Sequence, residues 1–301
     1  MGLRGEENAM TTDLAVSYRA AERVARRRAR NFYYSFVVLP PEKRRALCAV
    51  YAFMRYCDDI SDGAATVENK RVMLERWRQR LVAVLKGDYR GSDIFPAFHD
   101  TVRRFSIPEN YFHWVIDGAE MDLRIDRYET FEELYRYCFN VASSVGLVCL
   151  HVFGYTEERA KKYAECCGIA FQLTNILRDV KEDAAMGRIY LPGEDLKTFG
   201  YTPEELKQGI LDERFRRLMT FETERASDYY AQARHLLPLI ERTSRPALWA
   251  MMEIYGRILR KIVRRQYDVF GRSVQLSNPE KVSIALMALA LRFIPGGIGL
   301  V

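Results

Sequence analysis

The sequence predicts a single all-α domain, and three observations carry that prediction. Apolar residues recur at three- and four-residue spacing along nearly the whole chain, no run of alternating residues competes as a strand, and no linker or repeat of fixed period divides the 301 residues. Length and composition agree. A chain of this size can bury a sizeable core, and 49% hydrophobic with 29% charged residues is a globular balance that excludes general disorder.

Taken in order, residues 1–12 read as a flexible polar tail without the apolar stretch of a secretory signal, and 13–301 as the domain. Residues 13–30 are helical and strongly basic, with Arg23, Arg26, Arg27, Arg28 and Arg30 close together. Such a run is either a solvated helix face or a patch for an anionic membrane or a phosphorylated ligand. No nucleic-acid-binding motif accompanies it, so no nucleic-acid partner is expected. The aromatic stretch 31–36 reads as a helix end or loop rather than a strand.

Pro41 suits the first position of a helix over 41–62, which Gly63 ends. Further helices are expected at about 67–86, 94–105 and 108–121. Thr130 with Glu133 reads as a capping box opening a helix over 131–153. Thr156 is the expected N-cap of the next helix, which leads into the polar-striped stretch 168–192. Helices at about 203–209, 212–237, 245–270 and 278–293 complete the chain. The apolar run 282–291 is about half of the roughly 20 residues that span a bilayer, so it reads as a core helix, with interfacial membrane contact second. The six cysteines, Cys48, Cys57, Cys138, Cys149, Cys166 and Cys167, lack metal spacing and read as buried free thiols, which fits a reducing cytosol.

Two stretches depart from ordinary amphipathic helices. Gln172, Asn175, Asp179 and Asp183 follow one another at intervals of three, four and four, so they stack on one helix face. Beside that stripe lie Leu173, Ile176, Leu177 and Val180, where a solvated helix would place its apolar residues opposite its charges. Tyr51, Arg55, Asp58 and Asp62, at intervals of four, three and four, make a second such stripe. Four carboxylates lining one cavity repel and desolvate one another unless positive charge lies between them. Hard divalent cations with oxygen ligands meet that need, and Mg²⁺ favours one or two carboxylates together with phosphate oxygens and water. The stripes therefore suggest a diphosphate bridged by Mg²⁺, with arginines completing the charge balance. Other chemistries fit less well. Ile60 occupies a ligand position of an EF-hand loop, no phosphate loop of the G-x-x-x-x-G-K type is present, and His99, His113, His151 and His235 are scattered.

The stretch from Tyr51 and Arg55 through Asp58-Asp59-Ile60-Ser61-Asp62-Gly63 resembles one of the two aspartate-rich motifs of the squalene/phytoene synthase family. The other motif is matched by Gln172, Asn175-Ile176-Leu177-Arg178-Asp179-Val180 and Asp183. Gly187-Arg188-Ile189-Tyr190-Leu191-Pro192 and Met121-Asp122-Leu123 with Asp126-Arg127-Tyr128 are similar to family segments as well, and the likeness runs from about residue 18 to 292. The resemblance implies an isoprenoid-synthase helical bundle around a central hydrophobic cavity, in which two identical allylic diphosphates are joined head to head through a cyclopropylcarbinyl diphosphate. It assigns Asp58, Asp62, Asp179 and Asp183 to Mg²⁺ and to catalysis, with Asn175 beside the metal. Gln172 and Asn175 are expected to support the diphosphate, and Tyr51, Arg55, Arg188, Tyr190, Tyr255 and Arg272 to lie near the diphosphates, Tyr51 and Arg55 among the catalytic residues. Ala29-Arg30-Asn31-Phe32 departs from the family pattern, where a small hydroxyl residue is common, leaving Arg30 or Asn31 as a substitute phosphate contact.

Such a reaction agrees with the residues. Loss of diphosphate leaves a delocalised carbocation, which calls for Mg²⁺ and arginine at the leaving group, a dry apolar cavity, and aromatic faces. The wording of 32–36 and 141–146 is similar to bacterial presqualene/squalene-type members. The leading expectation is therefore condensation of two farnesyl diphosphates to presqualene diphosphate, on to squalene or a related thirty-carbon product. The alternative is a phytoene synthase condensing two geranylgeranyl diphosphates. A non-catalytic assembly protein is a remote third reading, disfavoured because both carboxylate pairs are present. NADPH is expected only if the product is squalene. The protein is expected in the cytoplasm, with peripheral contact at the inner membrane face.

Overall fold

The computed structural model describes residues 3–292. The side chains before Leu14 and those of Arg30 and Asn31 lie outside that description, and with them the substitute phosphate contact expected of Arg30 or Asn31. Among the described residues fourteen α-helices follow one another: α1 (Leu3–Arg28), α2 (Arg30–Phe36), α3 (Pro41–Ser61), α4 (Val67–Leu85), α5 (Phe95–Arg104), α6 (Glu109–Met121), α7 (Phe131–Cys138), α8 (Ser144–Phe153), α9 (Ala160–Ala185), α10 (Gly193–Thr198), α11 (Pro203–Gln208), α12 (Glu213–Ala233), α13 (Arg245–Arg264) and α14 (Asn278–Leu291). A π turn, Phe139–Ser143, joins α7 to α8, and a 3₁₀ turn, Arg234–Leu239, follows α12. Among the described residues β pairing is limited to two isolated bridges, Arg127 with Ile189 and Tyr155 with Ile240.

At 26 residues, about 39 Å, α9 is the axis of the bundle, packed by α8, α12, α13 and the π turn. Its buried face is rich in small side chains, Ala164, Cys167, Gly168 and Ala170 among them, so neighbouring backbones come close. On α3, Phe53 stacks on Phe98 (ring centroids 4.0 Å apart) and on Trp77 (4.7 Å), fastening α3 to α5 and α4. That leaves the other face of α3 turned toward α9. The space between these two helices is walled by α2, α6, the π turn, α8 and α13.

Local signals account for most helix starts. Thr66 accepts from the Asn69 N–H, and Thr202 and Ser277 form full capping boxes with Glu205 and Glu280. The chain enters α1 at Leu3, so that helix takes in most of the segment the sequence sets apart as a tail. Stretch 30–36 is helical. The helix expected over 131–153 is interrupted by the π turn, because its middle is wedged between two glycines. A Cβ on Gly168 would come within 2.5 Å of the Ser143 Cα, and one on Gly118 within 2.6 Å of the Val141 side chain. By composition Phe131–Phe153 is apolar and long enough to cross a bilayer, yet in the fold it is half-buried packing between α6 and α9. Thr156 does not cap α9. Its N–H and hydroxyl both donate to the Leu239 carbonyl, at 3.0 and 3.2 Å, and the helix begins at Ala160. The helix expected over 212–237 tightens to 3₁₀ at Arg234, with Pro238 inside that turn, and the one expected over 245–270 ends at Arg264, before positive φ at Gln266 and Tyr267.

Candidate active site

Between α3 and α9 lies a cavity of about 320 Å³, within the range of small-ligand sites. Its walls are apolar over most of their length, and its polar residues gather at one end: Tyr51, Arg55 and Asp58 from α3, Asp122 just beyond α6, and Gln172 and Asn175 from α9. That end is where the C-termini of α3 and α9 converge. Both helices carry carboxylates there and neither has a basic residue in its last turn. Negative charge at a helix C-terminus opposes the helix dipole, so the local field at this mouth favours a cation.

On α3, Arg55 is the hub. Its Nε lies 2.9 Å and its Nη2 2.8 Å from Oδ1 of Asp59, and it reaches Asp58 at 3.4 Å and Asp62 at 3.9 Å. Asp59 also receives Arg28 of α1 at 2.5 Å. Asp62 is the exposed C-cap residue, its N–H bonded back to the Asp58 carbonyl. Burial among the mouth residues pushes the Asp58 carboxyl up to about 6; Arg55 opposes the rise, and Asp62, Asp59 and Asp122 add to it. The side chain is 57% exposed, so water on the open side moderates that push. Tyr51 is half-buried, and desolvation pushes its hydroxyl up to about 12.

On α9, Asn175 donates to Gln172 Oε1 (3.3 Å), so the two amides hold each other against the cavity. Asp179 is clasped through both oxygens by Arg178, with Nε at 2.7 Å from Oδ1. Asp183 is half-buried. Desolvation, with Asp179 next, pushes its carboxyl up to about 7, while Arg188 pulls the other way. Tyr255 of α13 is buried, stacked on Phe171 at 4.5 Å, and raised to about 12 by desolvation.

Asp122 is a site residue that stripe reasoning did not find. Its Oδ1 accepts from the Tyr190 hydroxyl (2.9 Å) and its Oδ2 from Tyr137 (3.3 Å), while Arg188 donates to its backbone carbonyl (3.2 Å). Its charge is felt by Asp58 on one side and Asp183 on the other, so it joins the two carboxylate groups. Arg178 and Asp59 also lie outside the predicted set. The signals for all three were the family-like segments that contain them, not helical spacing. Arg272 is brought to none of this: it is exposed in the loop after α13, where its carbonyl accepts from Arg265 (2.8 Å).

The donor set fits a hard divalent cation. It is all oxygen, it sits at two helix C-termini, and Asp58 and Asp183 are raised by desolvation first and by neighbouring carboxylates after it, a cost that a cation would relieve. Among the described residues no three His, Cys, Asp or Glu side chains converge on one point, so an ion held here completes its shell with water and ligand oxygens.

Fold and site define a class of enzyme: an all-helical prenyltransferase with an apolar cavity that opens between two carboxylate-bearing helix ends. The chain belongs to the squalene/phytoene synthase family, whose model matches residues 25–280. It is 38% identical over 281 residues to the 15-cis-phytoene synthase of Synechococcus elongatus, covering 89% of this chain and 91% of that one. It is 39% identical over 282 residues to the phytoene synthase of Mycobacterium tuberculosis, covering 93% and 92%. Among solved structures it superposes on a dehydrosqualene synthase with a TM-score of 0.85 (28% identity, 93% of this chain and 98% of that one) and on a squalene synthase from Alicyclobacillus acidocaldarius with 0.80 (27%, 85% and 97%). The family condenses prenyl diphosphates head to head.

Proposed function

We propose that the protein condenses two geranylgeranyl diphosphates to a cyclopropylcarbinyl diphosphate and then to phytoene. This is the alternative raised by the sequence, and the observation that carries it is the name shared by relatives at 36–39% identity across about nine-tenths of the chain. The expectation of two farnesyl diphosphates rested on the wording of two short segments. The two solved neighbours bearing squalene-type names are less similar in sequence, at 27–28%.

Mg²⁺ held by Asp58, Asp62, Asn175, Asp179 and Asp183 would supply the positive charge that lets a diphosphate leave an allylic carbon. The chain's own residues do the rest. Arg55 and Arg188 add fixed positive charge at the mouth, and Gln172 and Asn175 offer amide donors to phosphate oxygens. Phe32, Phe36 and Phe171 present apolar and π surface to the carbocation and keep water away from it. Phytoene forms when the last cation loses a proton, so this reading needs no NADPH.

Location in the cytoplasm against the inner membrane face is part of the same proposal. Exposed Val282, Leu286 and Met287 on α14 support it, together with a product that is insoluble in water.

The test is incubation of the purified protein with geranylgeranyl or farnesyl diphosphate and Mg²⁺, with and without NADPH, followed by mass spectrometry of the lipid extract. A forty-carbon triene-centred product without NADPH is expected. A thirty-carbon product alone would return the reading to two farnesyl diphosphates.

A further inference from the structure

The polar mouth is one end of the cavity, and its other end is a built floor. Along α3 the lining runs from Ser61 down to Leu47, and along α9 from Asn175 down to Ala164. The first covers about 21 Å of helix and the second about 16 Å. At the bottom, Phe153 is the last residue of α8, 2% exposed, and its side chain lines the cavity alongside Leu236 and Leu248.

What sits beneath Phe153 is unusual for an apolar pocket. Its carbonyl accepts from Lys43 Nζ (2.6 Å) and from the Ser244 hydroxyl (2.8 Å), and Lys43 Nζ also reaches Glu241 (2.6 Å) and the Ser244 oxygen (3.0 Å). Ser244 is fully buried and the Lys43 side chain is 13% exposed. Gly154 follows at φ 73°, where an added Cβ would collide with the Glu241 carboxylate. Beyond it, the Glu241 N–H donates to the Gly154 carbonyl at 2.9 Å. The clamp therefore ties the lower end of α3, the end of α8 and the start of α13 to one backbone carbonyl. A charge-assisted clamp of this kind fixes position more tightly than apolar packing does.

We propose that Phe153 is the chain-length stop of this enzyme, and that Lys43, Ser244 and Glu241 are positioning residues that keep it from yielding. The inference rests on the reading of the cavity as a prenyl-tail site, and it adds which residue decides the length of the tail. A tail anchored by its diphosphate at the mouth and filling the depth ends against this ring. One more isoprene unit must then displace a side chain whose backbone is clamped. Between the mouth residues and this floor the described lining is apolar side chains with the Cys149 and Cys167 thiols, so length is what it can measure. Steric discrimination in an apolar pocket is worth about 10- to 200-fold per added methylene.

The experiment offers the wild type and its variants an equimolar mixture of fifteen-, twenty- and twenty-five-carbon allylic diphosphates with Mg²⁺ and measures the carbon number of the products. Phe153→Ala opens the floor and is expected to raise the share of products containing the longest tail at least about tenfold. Phe153→Leu, which preserves more of the packing, moves it the same way by less and serves if the alanine variant does not fold. Leu236→Phe fills the floor and shifts use toward the shortest tail. Lys43→Met leaves the ring in place but loosens it, and broadens the product distribution while the far-ultraviolet circular dichroism stays unchanged. An active wild type whose product distribution is the same in folded Phe153→Leu and Leu236→Phe would overturn the stop. A wild type that turns over none of the three diphosphates would instead overturn the functional reading beneath it.

Discussion

The two carboxylate-bearing helix ends at the cavity mouth are built differently. At the end of α3, Asp58, Asp59 and Asp62 are exposed and share Arg55 as counter-charge, with Arg28 of α1 reaching in from 52% exposure. At the end of α9, Asp179 and Asp183 are half-buried, and each element around them is itself held. Arg178 clasps Asp179 through two bonds, while Arg188 and Tyr190 are fastened to Asp122. Exposed ion pairs contribute little and rearrange cheaply, whereas half-buried pairs resist separation. The α3 end is thus the adaptable half of the mouth and the α9 end the fixed half, a division suited to a site that must accept a charged group and later release it.

Removing a carboxylate from either half tests whether both act on the same group. Asp58→Ala and Asp183→Ala should each lower kcat by on the order of 10²–10³-fold, with the helical circular dichroism unchanged. Near-normal turnover in one of them would assign the reaction to the other half alone. Acid should act next. Asp58 and Asp183 are raised to about 6 and about 7 in the folded state, against roughly 3.9 for a free aspartate. The folded protein therefore binds more protons than the unfolded chain between these values. The contribution of the two groups destabilises the fold above pH 7 and fades as the pH falls toward 4. In EDTA, Asp183→Asn should gain stability over the wild type at pH 8 and lose that advantage by pH 5, in thermal melts. The rise in Tm that Mg²⁺ gives the wild type should shrink over the same window, and an Mg²⁺ effect that does not vary with pH would remove these carboxylates from the metal.

Smaller effects separate the halves more finely. Arg178→Met breaks the half-buried pair and should cost about 1–2 kcal/mol in urea unfolding, between the values for exposed and buried pairs. Arg28→Met breaks only an exposed one and should change stability by less than about 0.5 kcal/mol. Equal losses in the two would erase the distinction between a fixed and an adaptable end.

Helical spacing made both stripes legible because an α-helix places residues three and four apart on one face whatever surrounds it. The proline and cap signals at Pro41, Thr202 and Ser277 were legible for the same reason: they act within a few residues. What escaped the sequence depends on contacts between distant segments. Asp122 reaches the mouth from just beyond α6 and is placed there by Tyr190 and Tyr137. The helix α10 is six residues with no apolar period to announce it, and Thr156 looked like a cap until the Leu239 carbonyl claimed its donors. Arg272 was carried over by likeness alone, and nothing in the chain near it has the spacing that would aim it at the cavity.

The π turn at 139–143 has a consequence for how the cavity wall could diverge. Such a turn is one extra residue in an otherwise α-helical path, and each residue rotates a helix by about 100°. It therefore works as a rotary joint between α7 and α8. Deleting a single residue there would leave both helices intact but swing Val145, Gly146 and Cys149 away from the lining and bring a different face of α8 inward. The shape of this wall is thus written partly in the phase of the helix rather than in the identity of its side chains, and a shift in phase would remodel the pocket without a single substitution along it.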